Sequence, residues 1–297
     1  MEGLPKLKIK HLLASWATFP PDMRNDTQIS IAVIKHFLGE DWLFTHILPD
    51  CRTPGILTVH GTVSEKKLAK VRIIDLAESL LNLRKIPGLR DCVRHMRTAK
   101  NLEPSLAELH IGKMLYANDW QFRFVAPQGK RGDNYDLQIR YHNQPVCGDV
   151  KCKIESTAPN SGAITSTLKG ARNQVPDDKP GVFFVKFPQQ WMEHGGWEKM
   201  TIQGVLDFFA QGSGRVVSVA LYAEPIYLIG QMAAQKHTFC EVANPRRRFG
   251  LDLDWKFFER WHPPNVGPPN TGSWNAMPPK YIRLFDFPKG LAGHEKE

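Results

Sequence analysis

Hydrophobic and polar positions along the chain follow two periodicities, and each predicts its own class of element. Apolar side chains at helical spacing predict helices over 26–38, 68–83, 104–118, 165–175 and 201–211, with a short basic helix ending near Lys100. Short apolar or alternating runs predict strands over 121–126, 135–141, 145–153, 181–187 and 215–222. Strands and helices alternate through the middle third, so we expect an α/β fold in which a central mixed sheet is flanked by helices.

The same pattern predicts three segments along the chain. Residues 1–70 are predicted to form a mostly helical N-terminal extension, and residues 71–230 are predicted to form the α/β core. Residues 231–297 are rich in Pro, Trp and Arg and have few periodic apolar positions. We therefore expect an irregular C-terminal extension that packs on or beside the core.

Composition narrows the class of protein. The 297 residues are 42% hydrophobic and 23% charged, which is typical of a globular protein. The five cysteines are scattered without a Cys-x-x-Cys pair, which argues against a zinc ribbon and fits reduced thiols. No N-terminal stretch has the pattern of a signal peptide, and no apolar run approaches the ~18 residues of a membrane span. We therefore expect a cytoplasmic protein with no membrane partner.

The second strand of the predicted hairpin, over 145–153, carries two charged side chains. Because side chains alternate along a strand, Val146 and Val150 share an apolar face that should pack on the core. Asp149 and Lys151 share the opposite face, where they project side by side. A surface ion pair, which contributes about 0–1 kcal/mol, is the structural alternative for these two residues.

The first strand of the hairpin repeats this logic. Leu137 and Ile139 share one face, and Asp136 stands on the other at the start of the strand. Hairpin pairing can bring Asp136 and Asp149 together, where two carboxylates repel unless one is protonated or a cation lies between them. Oxygen ligands favour a hard ion, so Mg²⁺ is the expected cofactor and Mn²⁺ could substitute for it. Alternatively, Asp136 only begins a strand on a solvated face.

Glu108 lies at the edge of the apolar stripe of the helix predicted over 104–118. At helical spacing it is aligned with Leu115 and lies beside Ile111, so it can reach over the sheet toward the two aspartates. Ser105-x-x-Glu108 also has the spacing of a capping box, so a purely structural role as a helix cap stays open.

Three carboxylates and one lysine are suited to phosphoryl transfer. Asp136 and Asp149 would hold the metal, which would polarise a phosphate oxygen and acidify a bound water. Glu108 would complete the metal shell or orient a second ion. Lys151 would position or activate the attacking water and stabilise charge in the transition state. These four residues are the candidate catalytic set.

The pattern Glu108 … Tyr135-Asp136 … Asp149-Val150-Lys151 resembles the PD-(D/E)XK nuclease superfamily. That superfamily includes many restriction endonucleases and Holliday-junction resolvases. The resemblance covers about residues 103–187, including the order helix, strand, hairpin, helix and strand. It implies a restriction-endonuclease-like core, and because such enzymes are commonly dimers, a homodimer is compatible with it.

The resemblance also implies a role for each motif residue. Asp136 matches the metal-binding aspartate, and Asp149 and Lys151 match the acidic residue and the lysine of the motif. Glu108 matches the glutamate that is often found on the first core helix. Tyr135 replaces the proline that names the motif, and an aspartate at 149 is the less common acidic choice. Neither departure removes a ligand.

Basic residues indicate where a polyanion would bind. The net charge is +9, and ten Lys/Arg against four Asp/Glu lie between residues 65 and 100, although a solvated helix face would also explain that cluster. The run Arg246-Arg247-Arg248 is a further basic candidate. Near the proposed site, the candidate nucleic-acid contacts are Lys130 and Arg131 in a Gly-rich loop, and Lys169, Arg172 and Gln174 in the segment that follows the hairpin.

Taken together, the sequence predicts a metal-dependent nuclease that hydrolyses phosphodiester bonds as an endonuclease, on DNA in preference to RNA. Two alternatives stay open. One is a non-catalytic nucleic-acid-binding module on the same fold. The other is a protein-interaction protein that docks through its N-terminal and C-terminal extensions.

Overall fold

A six-stranded mixed β-sheet organises the part of the chain that the computed structural model describes. The described residues are 26–48, 55–126, 129, 132–153, 158–229, 232–235, 238–251, 281 and 284. Helices cover this sheet, so the expected α/β fold with a flanked mixed sheet is confirmed. None of the helices in these ranges is long and apolar enough to cross a membrane.

In the described part of the chain, five helices precede the first strand, and the later strands occur both in succession and between helices. The helices are α1 (Asp26–Leu38), α2 (Glu40–His46), α3 (Val63–Leu83), α4 (Leu89–Thr98), α5 (Glu103–Ala117), α6 (Ser161–Arg172), α7 (Gln189–Met192) and α8 (Trp197–Ala210). The strands are β1 (Gln121–Phe124), β2 (Leu137–Tyr141), β3 (Gln144–Cys152), β4 (Gly181–Lys186), β5 (Val216–Ala223), β6 (Ile226–Ile229), β7 (Met232–Gln235) and β8 (Thr238–Ala243).

The sheet combines antiparallel and parallel pairs in the order β1-β2-β3-β4-β5-β8. Strands β1, β2 and β3 are antiparallel neighbours, whereas β3, β4 and β5 run parallel. Parallel neighbours need a crossover, which α6 provides between β3 and β4, and α7 and α8 provide between β4 and β5. Strand β8 returns antiparallel to β5, and β6 pairs with β7 in a separate hairpin.

A two-residue turn fixes the register of the β2-β3 hairpin. His142 and Asn143 both have positive φ, 42° and 67°, as a type I′ turn requires. In the resulting register Leu137 pairs with Gly148. A slip of one residue would move every side chain to the other face of the sheet, so this turn decides which residues face each other.

The central strands are buried on both faces. On one face, Val182 and Phe184 of β4 belong to the core that includes residues of α1 to α5. On the other face, Phe183 and Val185 pack with residues of α6 and α8. Strands buried on both faces are continuous apolar runs in the sequence, as β4 is. A charged side chain in the middle of β3 must therefore lie in a dry environment.

Helix α3 begins earlier than its apolar periodicity predicts, because polar residues form its first turn. Thr62 and Glu65 make a capping box, in which the Glu65 amide donates to Thr62 Oγ1 over 3.2 Å and the Thr62 amide donates to Glu65 Oε2 over 2.7 Å. The helix predicted over 26–38 is confirmed with the same bounds.

Helix α6 is displaced toward the N-terminus relative to the predicted 165–175. It begins at Ser161, because Asn160 Oδ1 accepts the Ala163 amide over 2.6 Å and caps the first turn. It ends at Arg172, so Gln174 lies in the turn after the helix and not on it.

The predicted division at residues 70 and 230 stays a prediction, although elements near both positions join the main core or the main sheet. Helix α3 runs through residue 70, and α1 contributes to the same core as the sheet. Strand β8 falls in the region predicted to be irregular, yet it is an edge strand of the main sheet. Its side chains are mostly half-buried, so backbone pairing defines this strand where apolar alternation does not. Residues 1–25 and most of 252–297 lie outside the described residues.

Two helical glycines offer a paired test of how closely α6 and α8 pack. A Cβ on Gly204 of α8 would lie 2.7 Å from the Ser161 carbonyl oxygen and 2.9 Å from Ile164 Cβ, whereas a Cβ on Gly170 of α6 would meet open space. We expect Gly204→Ala to lower the free energy of unfolding by about 1–3 kcal/mol. Gly170→Ala should raise it by up to about 1 kcal/mol. Urea denaturation measures both, and changes of the same sign would contradict the packing.

Candidate active site

Asp149 and Lys151 of β3 form a buried ion pair. Lys151 Nζ lies 2.6 Å from Asp149 Oδ2, and the Asp149 side chain is fully buried. The alternative of a solvated surface pair is therefore wrong for Asp149, because α6 packs on the face of β3 from which this side chain projects. Burying a carboxylate is costly unless it is paired or binds a cation, so this arrangement needs a physical reason.

Asp136 lies immediately before β2, opposite Asp149. Its amide donates to the Gly148 carbonyl over 3.0 Å, and its Oδ2 accepts the Val150 amide over 2.7 Å. These two bonds hold Asp136 against the backbone on either side of Asp149. The two aspartates therefore converge as the hairpin predicts, and the Asp136 side chain is half-buried and hydrogen-bonded.

Glu108 approaches the aspartates from α5, which packs on the face of the sheet opposite to α6. The Cys92 thiol of α4 lies 3.7 Å from Glu108 Oε2 and donates to it. The N-cap of α5 is Leu102, which has no side-chain cap, and Ser105 is buried inside the helix. The capping-box alternative for Glu108 is therefore wrong, because the helix begins two residues before Ser105.

Burial raises the pKa values of all three carboxyl groups, and repulsion from Asp136 adds to this effect at Asp149 and Glu108. Burial raises the pKa of Asp149 to about 8, with the charge of Asp136 adding to the effect and Lys151 opposing it. Burial also raises the pKa of Glu108 to about 8, with the charge of Asp136 as the next cause. The pKa of Asp136 is raised by burial too, against the effects of Lys151 and the Val150 amide. Lys151 thus offsets only part of the carboxylate repulsion.

The donor set is chemically suited to a hard divalent cation. Asp149 Oδ1 is a buried carboxylate oxygen that accepts no hydrogen bond from the described residues. Mg²⁺ prefers such oxygens and keeps several waters, so one or two carboxylates suffice to bind it. Among the described residues, no three His, Cys, Asp or Glu side chains lie close enough to form a ready group of ligands. Asp136 and Asp149 are accordingly the principal candidates, and the ligand role of Glu108 stays a prediction.

Gln174 contributes to the site through Lys151. Lys151 Nζ donates to Gln174 Oε1 over 2.6 Å, so the ammonium group lies between this amide and Asp149. The turn that carries Gln174 is held by its own carbonyl oxygen, which accepts the Asn134 amide over 2.9 Å. The structure thus brings Gln174 to Lys151, whereas its predicted contact with nucleic acid stays a prediction.

The other predicted nucleic-acid contacts are placed differently. Lys130 and Arg131 lie outside the described residues. Lys169 is exposed on α6 beside a recess lined by Asp207 and Ala210, and it does not join the candidate site. Arg172 lies at the end of α6 and lines a large cleft next to the site.

Two residues of α4 lie near the carboxylates although the sequence does not predict them to belong to the site. Cys92 contacts Glu108, and the charge of His95 lowers the pKa of Asp136. They are three positions apart and therefore lie on one side of α4. The amphipathic pattern of α4 shows that one side of the helix is buried. Only the packing of α4 beside α5 and the hairpin shows that this side faces the carboxylates.

A second buried charged group lies elsewhere on α5. His110 Nε2 is 2.8 Å from Asp75 Oδ2 of α3, and its Nδ1 contacts Glu224, which follows β5. Lys113 contacts Asp75, and Lys186 Nζ is 2.8 Å from Glu224 Oε2. His110 and Lys113 hold the pKa of Asp75 well below its usual range although burial acts to raise it. This network links α3, α5 and the ends of β4 and β5.

Comparison with known proteins finds no family model, no curated protein and no solved structure that matches the chain. The chemical interpretation of the site therefore depends on the geometry of its own residues. Two facing aspartates, a glutamate coupled to them and a lysine held between an aspartate and an amide are the features that a function has to explain.

The raised pKa of Asp149 gives stability a characteristic pH dependence. A carboxyl group protonated in the folded state but ionised in the unfolded state stabilises the fold at low pH, and this contribution is lost as pH rises from the ordinary 3.8 to about 8. In metal-free buffer, Asp149→Asn should therefore gain stability relative to wild type as pH rises, by up to about 1.4 kcal/mol per pH unit. Urea denaturation from pH 5 to pH 8 measures this difference.

Asp178→Asn is the control for that measurement, because Asp178 is exposed and distant in sequence from the carboxylate pair. Any change in its stability relative to wild type measures the general effect of removing one exposed carboxyl group. If Asp149→Asn follows the same pH curve as this control, Asp149 is not held in a dry, repulsive environment.

Proposed function

We propose that the chain is a metal-dependent nuclease with a restriction-endonuclease-like core. It would hydrolyse internal phosphodiester bonds, of DNA in preference to RNA. The observation that carries this proposal is the fully buried Asp149, which faces Asp136, pairs with Lys151 and leaves one carboxylate oxygen without a hydrogen-bond donor among the described residues. A soluble core rarely keeps such a group without a function, because an apolar side chain there would be less costly.

The order of elements around the site supports the proposal. Helix α5 is followed by β1, the β2-β3 hairpin, the crossover helix α6 and the parallel strand β4. This is the order that the resemblance implies, with the glutamate on the helix and the two aspartates on the hairpin. The helix and hairpin are rigid elements, so they can hold reacting groups more precisely than loops can.

Asp136 and Asp149 would hold the metal, with Glu108 as a further ligand directly or through water. When bound, a divalent ion polarises the phosphate and lowers the pKa of a coordinated water. The carboxyl groups of Glu108 and Asp149 must lose protons to act as ligands. Because their pKa values are raised to about 8, metal affinity should increase with pH up to that value.

Lys151 has the position and the charge to act on the phosphate. The Lys151 side chain is one quarter exposed, and its Nζ is oriented by Asp149 and Gln174, so it can donate to a phosphate oxygen or to the attacking water. A cation fixed beforehand in a dry site stabilises developing negative charge without reorganisation. Gln174 is then a positioning residue that limits where the lysine can point.

The proposal is tested by comparing DNA cleavage by wild type, by Lys151→Ala and by a matched control variant. Purified wild type should nick plasmid and cut single-stranded DNA with Mg²⁺ or Mn²⁺ and should be inactive in EDTA. Lys151→Ala should lose on the order of 10²-fold or more in rate, because transition-state charge is no longer stabilised. Lys153→Ala, two residues further along the chain and part of a different pocket, should retain activity.

Circular dichroism shows whether each variant is folded, and an RNA substrate in parallel tests the preference for DNA. Equal rates for wild type and Lys151→Ala, or cleavage that persists in EDTA, would refute the nuclease. Salt-dependent DNA binding without cleavage would favour the non-catalytic module instead.

A further inference from the structure

A large basic cleft opens beside the candidate active site. It has a volume of about 910 Å³ and lies at the ends of β4 and β5 where those strands begin. We call it the arginine cleft. Its charged lining consists of Arg172, Lys179, Arg215 and Arg248, with Asp133 and Asp177 as the acidic members.

Three separate segments supply the arginines, and a buried asparagine holds two of those segments together, while Arg215 donates to the Arg172 carbonyl oxygen of the third. Arg172 ends α6, Arg215 precedes β5, and Arg248 follows β8. Asn244 is fully buried and donates to the Ser213 and Val216 carbonyl oxygens over 3.0 and 2.7 Å. The Arg248 amide donates to the Gly214 carbonyl oxygen over 2.8 Å. The lining is therefore part of the folded framework and does not depend on a chance meeting of surface side chains.

The guanidinium groups of the cleft lie close together, and the acidic side chains beside them neutralise only part of their charge. The Arg215 side chain is 15% exposed and contacts the carboxylate of Asp177, which is 88% exposed. Arg215 Nε is buried and donates to no acceptor among the described residues. Burial lowers the pKa of Arg215, and the charges of Arg172 and Arg248 lower it further. Like charges held this close are stabilised by an anion that lies between them.

The cleft is continuous with the active site through one turn. Asn173 lines the cleft, and the next residue, Gln174, accepts a hydrogen bond from Lys151. The Asn173 carbonyl oxygen accepts the Gly132 amide over 2.9 Å, which ties this turn to the segment that leads to Asp136. The cleft and the candidate active site therefore meet at consecutive residues of one turn.

We propose that the arginine cleft binds the phosphate backbone of the nucleic acid on one side of the bond that is cut. This inference depends on the proposed nuclease function, because that function puts the reacting phosphate at Asp149 and Lys151. A strand with its reacting phosphate there would place flanking phosphates along Asn173 and into the cleft. The cleft thus fixes the direction in which the substrate leaves the site.

Salt-dependent binding tests the cleft with charge-matched variants. Arg248→Gln/Lys179→Gln removes two cations of the cleft and leaves Arg172 and Arg215, whose side chains also bond to the backbone. Arg140→Gln/Lys199→Gln removes the same charge from exposed residues that do not line the cleft. Fluorescence anisotropy with a labelled oligonucleotide, in EDTA and over a series of KCl concentrations, gives the affinity of each protein without cleavage.

We expect the cleft variant to bind at least tenfold more weakly than wild type. Its log–log salt slope should be smaller by about 1.8 for a duplex or about 1.4 for a single strand, since each phosphate contact contributes about 0.9 or 0.7. The control variant should lose much less of either. Oligonucleotides with and without a 5′-phosphate should give the same loss, because the contact is to the backbone and not to a chain end.

Equal binding by the two variants would overturn the proposal, as would a loss that requires the terminal phosphate or a wild type that does not bind. The cleavage assay separates these results from the nuclease itself. If the protein cleaves DNA but the cleft variant binds as well as wild type, the cleft proposal alone is refuted. If binding depends on the cleft but no cleavage occurs, the nuclease proposal is refuted and the cleft remains a nucleic-acid site.

Discussion

The burial of the Asp149 carboxylate opposite Asp136 is the constraint on which the candidate site depends. Two carboxyl groups in a dry environment repel each other, and Lys151 compensates only part of that repulsion. The free energy needed to hold them there comes from the apolar layers on both faces of the central sheet. The fold therefore holds these carboxyl groups in an electrostatically unfavourable arrangement, and a bound cation would reduce their repulsion.

The scaffold positions each group from a different direction. The tight β2-β3 turn sets the register that brings the two aspartates together. Helix α5 brings Glu108 over one side, and the turn after α6 brings Gln174 to Lys151 from the other side. The same turn begins the arginine cleft, so the candidate active site and the cleft share one connection.

Much of this arrangement follows from local patterns in the sequence. Strand alternation places Asp149 and Lys151 on one face, and the helical stripe places Glu108 at the edge of the sheet. Other features depend on tertiary contacts that no local pattern contains. The early start of α6 comes from a single capping asparagine, and β8 is a strand because β5 offers a free edge. The pairing of Lys151 with Gln174, 23 residues apart, and the three-segment cleft appear only after the sheet has formed.

Metal binding itself tests the account most directly. Titration with Mn²⁺, followed by the electron paramagnetic resonance signal of the free ion, counts bound metal without requiring activity. Wild type should bind Mn²⁺ saturably, with an affinity that rises from pH 6 to pH 8 as Asp149 and Glu108 lose protons, and Mg²⁺ should compete. Asp149→Asn should lose this binding, whereas Asp178→Asn should keep it. Equal Mn²⁺ binding by both variants and wild type, or no saturable binding by wild type, would contradict a metal site built on the buried aspartates.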